Sequence, residues 1–406
     1  MTFEIALLGF AALIAIGILL HHPSRTLGIP SLLIFMGVGL ALGNGEYGFV
    51  YDDLDLTSEI GAVALNVIVF VGGLNTSTAN IKVAYKEGGT LSSLGVVVTS
   101  VALALCMYWL FDFSFLHCLL FAAVVSSTDA AAVFSILESK KLKLKQNTAT
   151  VLEFESATND PVALLMVMVL TQLTLSSEAS LALSELTMTL VMQIGVALVV
   201  AFVVAKVASL LLNYIHLQEW GLIPVFILAV FVLATYSAEF AGGNILLASY
   251  VAGVVIGNSV ERGMEVSRHF FNSLSWLAQS LMFIVLGLQI FPLELLPVFW
   301  QATLAAILLM FIARPIAVQL CYLPFRKASW QKRAFISAIG LKGATPIVFA
   351  LIPAAAGVEH SLTMVYMVFF VVLFSVVLQG SALEPLANKL QLNQEEEPPS
   401  STSTDR

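Results

Sequence analysis

Charge is scarce in this 406-residue chain: 11% of residues are Asp, Glu, Lys or Arg, against 59% that are hydrophobic, and the mean hydropathy is +0.95. A soluble fold of this length has too little core to bury that much apolar surface. Cysteine is nearly absent. Cys106, Cys118 and Cys321 make an odd number and lie in or at the ends of apolar runs, so they form no disulfide framework and have no metal-ligand spacing. They read as small packing residues. Short segments of alternating polarity are missing, which excludes the sequence signature of a β-barrel. No His-Glu-x-x-His or comparable set of ligands is visible, which speaks against a membrane-embedded enzyme. No basic or Gly-rich phosphate motif is present either, so neither a nucleic-acid partner nor a bound cofactor is expected. The N-terminus carries only Glu4 ahead of its apolar stretch, with no Lys or Arg and no small-residue cleavage site. It is expected to be a first membrane helix and not a cleaved leader.

What is present is a succession of apolar runs long enough to cross a bilayer. Hydropathy predicts about 13 of them, at 4–20, 28–43, 60–76, 89–111, 115–137, 148–171, 186–212, 220–236, 245–258, 272–290, 296–322, 334–356 and 362–383. Backbone groups in lipid must be satisfied within each segment, so the fold class is an all-α polytopic membrane bundle. Residues 1–390 form the transmembrane domain in this reading. Residues 391–406, acidic and rich in Pro and Ser, read as a disordered tail with no soluble domain after it.

The connections divide by charge. Alternate ones hold Arg25; Lys82 and Lys86; Lys140, Lys141, Lys143 and Lys145; Arg262 and Arg268; and Arg326, Lys327, Lys332 and Arg333, with Lys206, Lys389 and Arg406 on the same side. The others hold acidic residues and no Lys or Arg. Positive charge retained inside places the N-terminus outside and the C-terminus in the cytoplasm, which requires an odd number of spans. The cluster at 140–145 is suited to anionic lipids at the cytoplasmic face. The six histidines (His21, His22, His117, His216, His269 and His360) fall mostly in loops or at helix ends.

Sixteen of the eighteen basic residues obey this segregation; Arg314 and Lys342 sit inside apolar segments. Embedded charge is costly and has to face a partner or a wet cavity. The sixth segment adds three carboxylates in eight residues, Glu153, Glu155 and Asp160, with Asp160 near mid-depth. Glu153, Ser156 and Asp160 share one helical stripe; Glu155 and Asn159 share the next. The fifth segment contains Ser126-Ser127-Thr128-Asp129 near its middle, which is poor helix interior and good capping chemistry. A helix that unwinds there, with Asp129 facing a half-helix N-terminus, is expected. The twelfth contains Gly340-Leu341-Lys342-Gly343-Ala344-Thr345-Pro346, again an interruption. If segments 1–6 and 8–13 are inverted repeats, the fifth and twelfth are equivalent broken helices that cross, the pattern of a transporter site. Lys342 there would neutralise half-helix C-termini. Glu155 is the preferred partner of Arg314, because that pairing leaves Asp160 free. A carboxylate withdrawn from water holds either a proton or a cation, not both, and Ser156, Thr128, Asp129 and freed carbonyls offer hard oxygen ligands for Na⁺ or K⁺. A uniporter, channel or solute carrier on the same fold, without proton coupling, remains the alternative.

Glu155-Ser156, Asn159-Asp160, Thr128-Asp129, Arg314 and Gly340–Ala344 together resemble the NhaP-type branch of the monovalent cation/proton antiporters. The run Ser126–Phe134 followed by Glu155–Ala163 is similar to its potassium/proton subgroup. The resemblance covers about residues 5–385. It implies an NhaA/NhaP-like fold of 13 helices in the cell membrane and a homodimer. Core helices, about 60–171 and 272–383, would move against dimerisation helices elsewhere. It implies Asp160 as the site shared by the transported cation (Na⁺ or K⁺) and H⁺, Asn159 as support of that site, Glu155 paired with Arg314, and electroneutral one-for-one exchange. Two positions depart from the family pattern: Val71 stands where an acidic residue is common, and Lys342 where Arg is usual, which keeps the charge and loses the bidentate fork.

Overall fold

The computed structural model describes residues 31–44, 51, 53–129, 133, 142, 144–175, 183–215, 219–343 and 345–393, with isolated helical positions between 8 and 19. Among them the named elements are all helical, and Leu144 and Asn393 form an isolated bridge. In order, the helices are α1 (Ser31–Leu42), α2 (Leu54–Asn75), α3 (Thr78–Leu110), α4 (Phe115–Val124), α5 (Thr148–Leu175), α6 (Leu183–Tyr214), α7 (Leu222–Phe240), α8 (Ile245–Ser259), α9 (Met264–Gln289), α10 (Pro292–Cys321), α11 (Trp330–Ala338), α12 (Thr345–Ala355) and α13 (Ser361–Lys389). Eight of these are long and apolar enough to cross a membrane, and α4, α8 and α12 are among the shorter apolar ones. The protein is a multi-pass membrane protein.

Every predicted segment from the second onward meets one of these helices. The first lies largely outside the described residues, as do the second half of the fifth, Lys140, Lys141 and Lys143, and the tail from 394. Helix starts follow polar chemistry that hydropathy cannot see. α3 begins at Thr78, eleven residues before the predicted apolar run, because Ser77 accepts from Asn80 N at 3.1 Å and caps it. Asp53, Ser114, Asn244 and Ser329 cap α2, α4, α8 and α11 in the same way. Three long helices widen into a π-helical turn, at Leu91–Gly95 in α3, Leu309–Ala313 in α10 and Ser375–Gln379 in α13. Such turns are frequent next to functional sites.

The packing carries the expected internal symmetry. α1 lies on α9 and α2 on α8, the pairings that exchange under the repeat, and both seams are sealed by glycine. A Cβ on Gly39 would fall on the Ile284 carbonyl, and one on Gly287 on that of Met36. A Cβ on Gly253 would fall on the Phe70 carbonyl, and one on Gly257 on that of Leu74. Only backbones without side chains approach this closely, which is how membrane helices gain dispersion contact without a hydrophobic driving force. Val71 lies in the apolar cluster of α2 with α6–α9, together with Phe70, Leu74 and Phe231.

Both predicted interruptions are present. α4 stops at Val124 and the chain runs on non-helically through Asp129. α11 stops at Ala338, residues 339–343 are irregular, and α12 starts at Thr345. The two irregular runs are joined directly: Asp129 N donates to Leu341 O at 2.8 Å. α5 packs on α3 and α4 and against α12, which brings its middle to this crossing.

Candidate ion-binding site

Unwinding two helices inside an apolar bundle strands backbone carbonyls where no water can reach them, and each has to find a donor. Lys342 supplies two at once. Its Nζ donates to Ser126 O at 3.0 Å and Ser127 O at 2.8 Å, while its backbone N donates to Ser375 Oγ at 2.9 Å. The sequence placed this ammonium at half-helix C-termini, and that is where it lies. On the other broken helix, Gln379 Nε2 donates to Ala338 O at 2.9 Å, and Arg314 Nη2 to Ile336 O at 3.4 Å. Ser375, Gln379 and Arg314 all lie in or directly after π-helical turns.

Arg314 is otherwise committed to Glu155. The contact is bidentate, Nη1–Oε1 at 2.5 Å and Nη2–Oε2 at 3.0 Å, with both residues buried. A fork-to-fork pair of this kind satisfies both charges and fixes α5 against α10.

Asp160, 6% exposed on α5, is treated differently. Ser127 Oγ donates to its Oδ1, and the Thr345 hydroxyl at the start of α12 bonds the same carboxylate. Among the described residues no basic side chain forms an ion pair with it. The next polar layer is neutral. Asn159 Nδ2 donates to Thr128 Oγ1 at 2.6 Å, and Thr128 Oγ1 meets Ser156 Oγ at 2.8 Å. All of these residues are buried, and among the described residues Asn159 Oδ1 has no hydrogen-bond partner. Asp129 sits against the residues that lead into α12: a Cβ on Gly343 would collide with its carboxylate.

Asp160, Asn159, Ser156, Thr128, Asp129 and Lys342 are therefore gathered at one crossing, with the Glu155–Arg314 pair beside it. Glu153 is not. It is half-buried toward the lysine-bearing end of α5 and forms no ion pair among the described residues. Ser127 and Thr345 are the contributors that the sequence reading passed over, although both lie inside the motifs it singled out. Among the described residues no group of three or more His, Cys, Asp or Glu side chains is placed to hold a metal ion. The arrangement is a buried carboxylate bonded by the Ser127 and Thr345 hydroxyls with the Asp129 carboxylate near, a set of hard oxygens suited to a small cation.

Comparison with known proteins gives this geometry its setting. A K⁺/H⁺ antiporter NhaP2 of Shewanella sp. strain ANA-3 is 34% identical over 378 residues, which are 93% of this chain and 65% of that protein. This chain thus spans just under two thirds of the relative's length. An Na⁺/H⁺ antiporter NhaH of Halobacillus aidingensis is 27% identical, over 94% of this chain and 96% of its own. The fold matches the sodium proton antiporter MjNhaP1 of Methanocaldococcus jannaschii at a TM-score of 0.84 and 21% identity, covering 96% of this chain and 99% of that one. The family model described as the transmembrane part of the sodium/hydrogen exchanger matches residues 10–389, and the chain belongs to that family.

Proposed function

We propose that this protein exchanges protons for a monovalent cation, Na⁺ or K⁺, across the membrane by alternating access, with the two ligands competing for Asp160. The observation that carries this reading is that no basic side chain among the described residues pairs with that carboxylate. Both nearby cations are spoken for, Lys342 by two carbonyls and Arg314 by Glu155. A buried carboxylate in that position needs a positive ligand from solution, and a proton or a small desolvated cation each meets the need alone. Ser127 and Thr345, with Thr128 and Asn159 behind them, supply neutral oxygens that orient the site without holding the cation permanently. One such carboxylate taking one ligand at a time supports electroneutral one-for-one exchange. No bond in the cargo is made or broken, so no catalytic residue is called for.

The names of the relatives support the cation/proton pairing and leave both Na⁺ and K⁺ in view. The charge of the loops supports a cell membrane protein with its N-terminus outside and its C-terminus in the cytoplasm, Lys145 and its neighbours contacting anionic lipids. The reading includes a homodimer, with the helices of 60–171 and 272–383 as the moving core. The glycine seams that bind α2 to α8 and α9 to α1 favour keeping α2 and α9 with the static part, which narrows the moving body to α3–α5 and α10–α13.

The test is dissipation of a pH gradient in proteoliposomes on addition of Na⁺, K⁺ or Li⁺. A cation that collapses the gradient in the wild type and not in Asp160→Asn identifies the cargo and the site. Equal activity in the variant, or no response to any cation over a broad pH range, overturns the reading.

A further inference from the structure

At the lysine-bearing end of the bundle the chain leaves α13 through a sharp reversal. Gln391 is left-handed, at φ 55°, and Leu392 N donates back to Ala387 O at 3.0 Å. A helix stops this way when its last carbonyls need donors. The reversal drops Leu392 into an apolar cluster. Leu144, Val151 and Leu152 join it there from around the start of α5, and Ile336, Ile339 and Leu341 from α11 and the irregular run after it. The backbone is pinned as well. Lys145 N donates to Leu392 O at 2.8 Å, Lys145 Nζ donates to Gln391 O at 3.1 Å, and Leu144 and Asn393 form the isolated antiparallel bridge.

The residues that receive this segment are themselves a junction. Lys145 O accepts from Thr148 Oγ1, at the first residue of α5, at 2.6 Å. Gln146 O accepts from Lys332 Nζ of α11 at 3.0 Å. Lys332 also pairs with Glu87 of α3 at 2.6 Å, and Tyr322 OH, just past α10, donates to the same carboxylate at 2.8 Å. The junction is strained. Among the described residues, Gln146, Asn147, His360 and Gln391 are the non-glycine residues with positive φ, and all but His360 lie here. Left-handed backbone is costly for such residues, persists only where the surroundings impose it, and collects at elements that switch. One buried leucine and a few hydrogen bonds hold the segment against that strain.

Two routes lead from the junction to the Asp160 crossing. α5 runs without a break from Thr148 through Asp160, and a rigid helix carries a displacement of its start to the carboxylate. Leu341, in the same cluster as Leu392, accepts from Asp129 N at 2.8 Å. We propose that Leu392 is a positioning residue for the ion site. Seated, it clasps the starts of α5 and α11 together and keeps the crossing assembled; unseated, it lets the crossing loosen, and the site holds its cation less tightly. The effect on the cation rests on the exchange reading above; the clasp itself does not.

The test uses the full-length protein and two readouts. Amide deuterium uptake over residues 144–160 reads the clasp, and the half-saturating cation concentration and maximal rate of gradient dissipation in proteoliposomes read the site. Leu392→Ala is expected to speed uptake and to raise the half-saturating concentration several-fold at a nearly unchanged maximal rate. Leu392→Met, which conserves volume, should restore both. Gln391→Gly, which removes the strain at the reversal, should slow uptake. Wild-type uptake in Leu392→Ala overturns the clasp. Faster uptake with an unchanged half-saturating concentration, or with a fall in maximal rate alone, overturns the positioning role and leaves Leu392 a packing residue. Should the wild type dissipate no gradient with any cation, the exchange reading falls, and uptake in the three variants still decides the clasp. If Leu392→Ala fails to fold, Gln391→Gly decides: unchanged or faster uptake there overturns the proposal.

Discussion

Breaking the Glu155–Arg314 pair is the sharpest test of how the site is built. Both side chains are buried, at 1% and 5% exposure, so neither charge can turn to water when its partner is removed. Glu155→Gln leaves a buried guanidinium with neutral acceptors, the amide oxygen and Ile336 O at 3.4 Å, and no counter-charge; Arg314→Met leaves a buried carboxylate with none of its present donors. Removing one member of such a pair costs about 3–5 kcal/mol, and the two single variants should each lower the midpoint of thermal unfolding by several degrees. The double variant Glu155→Gln/Arg314→Met removes both charges, and replacing a whole buried pair by neutral groups of similar volume is often close to neutral. It should therefore recover most of the loss, a coupling on the order of 2 kcal/mol or more. Contacting residues show coupling of about 0.5–3 kcal/mol, and distant ones add within about 0.5 kcal/mol. The assay is thermal unfolding of the four proteins, purified in one detergent and scanned at one rate. Shifts that simply add in the double variant would refute the pairing and, with it, the argument that Arg314 is unavailable to Asp160.

Two substitutions at neighbouring glycines should part company. Gly343→Ala puts a Cβ into the Asp129 carboxylate and should abolish exchange or folding, whereas Gly340→Ala meets Arg314 Nε at 3.2 Å, so that the clamped guanidinium has to give by a few tenths of an ångström, and should cost less; proteoliposome exchange and expression yield report both. Lys342→Met strands the Ser126 and Ser127 carbonyls, each bond to a charged donor being worth about 1.5–3 kcal/mol, and the loss should appear as a lowered unfolding midpoint that Lys342→Arg partly restores. Ser127→Ala and Thr345→Ala each delete a hydroxyl on Asp160 and should raise the half-saturating cation concentration several-fold at unchanged unfolding midpoint, read from gradient dissipation at graded cation.

Much of this was legible in the chain because burial and charge conflict so openly. A carboxylate twelve residues into a 28-residue helix (Thr148–Leu175) has to be near mid-depth at 1.5 Å per residue, and Arg314 had few possible partners. The helix starts were less visible, since caps such as Ser77 act over four residues and leave no trace in a hydropathy average. Ser127 and Thr345 were missed for a different reason. The sequence reading unwound the chain at Ser126–Asp129, and outside a helix no period tells which side chain faces Asp160; in the structure Ser127 reaches it while Thr128 next to it reaches Ser156 and Asn159. On the sixth segment the helical period joined Glu153 to Asp160 on one stripe; the spacing is right, yet seven residues of rise separate them by about 10 Å.

That no basic side chain among the described residues pairs with Asp160 has, in the proposed exchange, a consequence for leakage. A carrier that crosses empty short-circuits the gradient it is meant to use. In that reading a proton or a cation aboard neutralises the Asp160 carboxylate; with neither, it is a buried anion hydrogen-bonded to Ser127 and Thr345 with the Asp129 carboxylate also near, and closing the protein over it costs several kcal/mol. Each kcal/mol lowers the frequency of empty crossings about fivefold. Had Lys342 or Arg314 paired with Asp160, the vacant site would close as readily as the filled one, and both gradients would run down through it. With Lys342 tied to carbonyls and Arg314 to Glu155, the cargo is, in this reading, the charge that would release the gate.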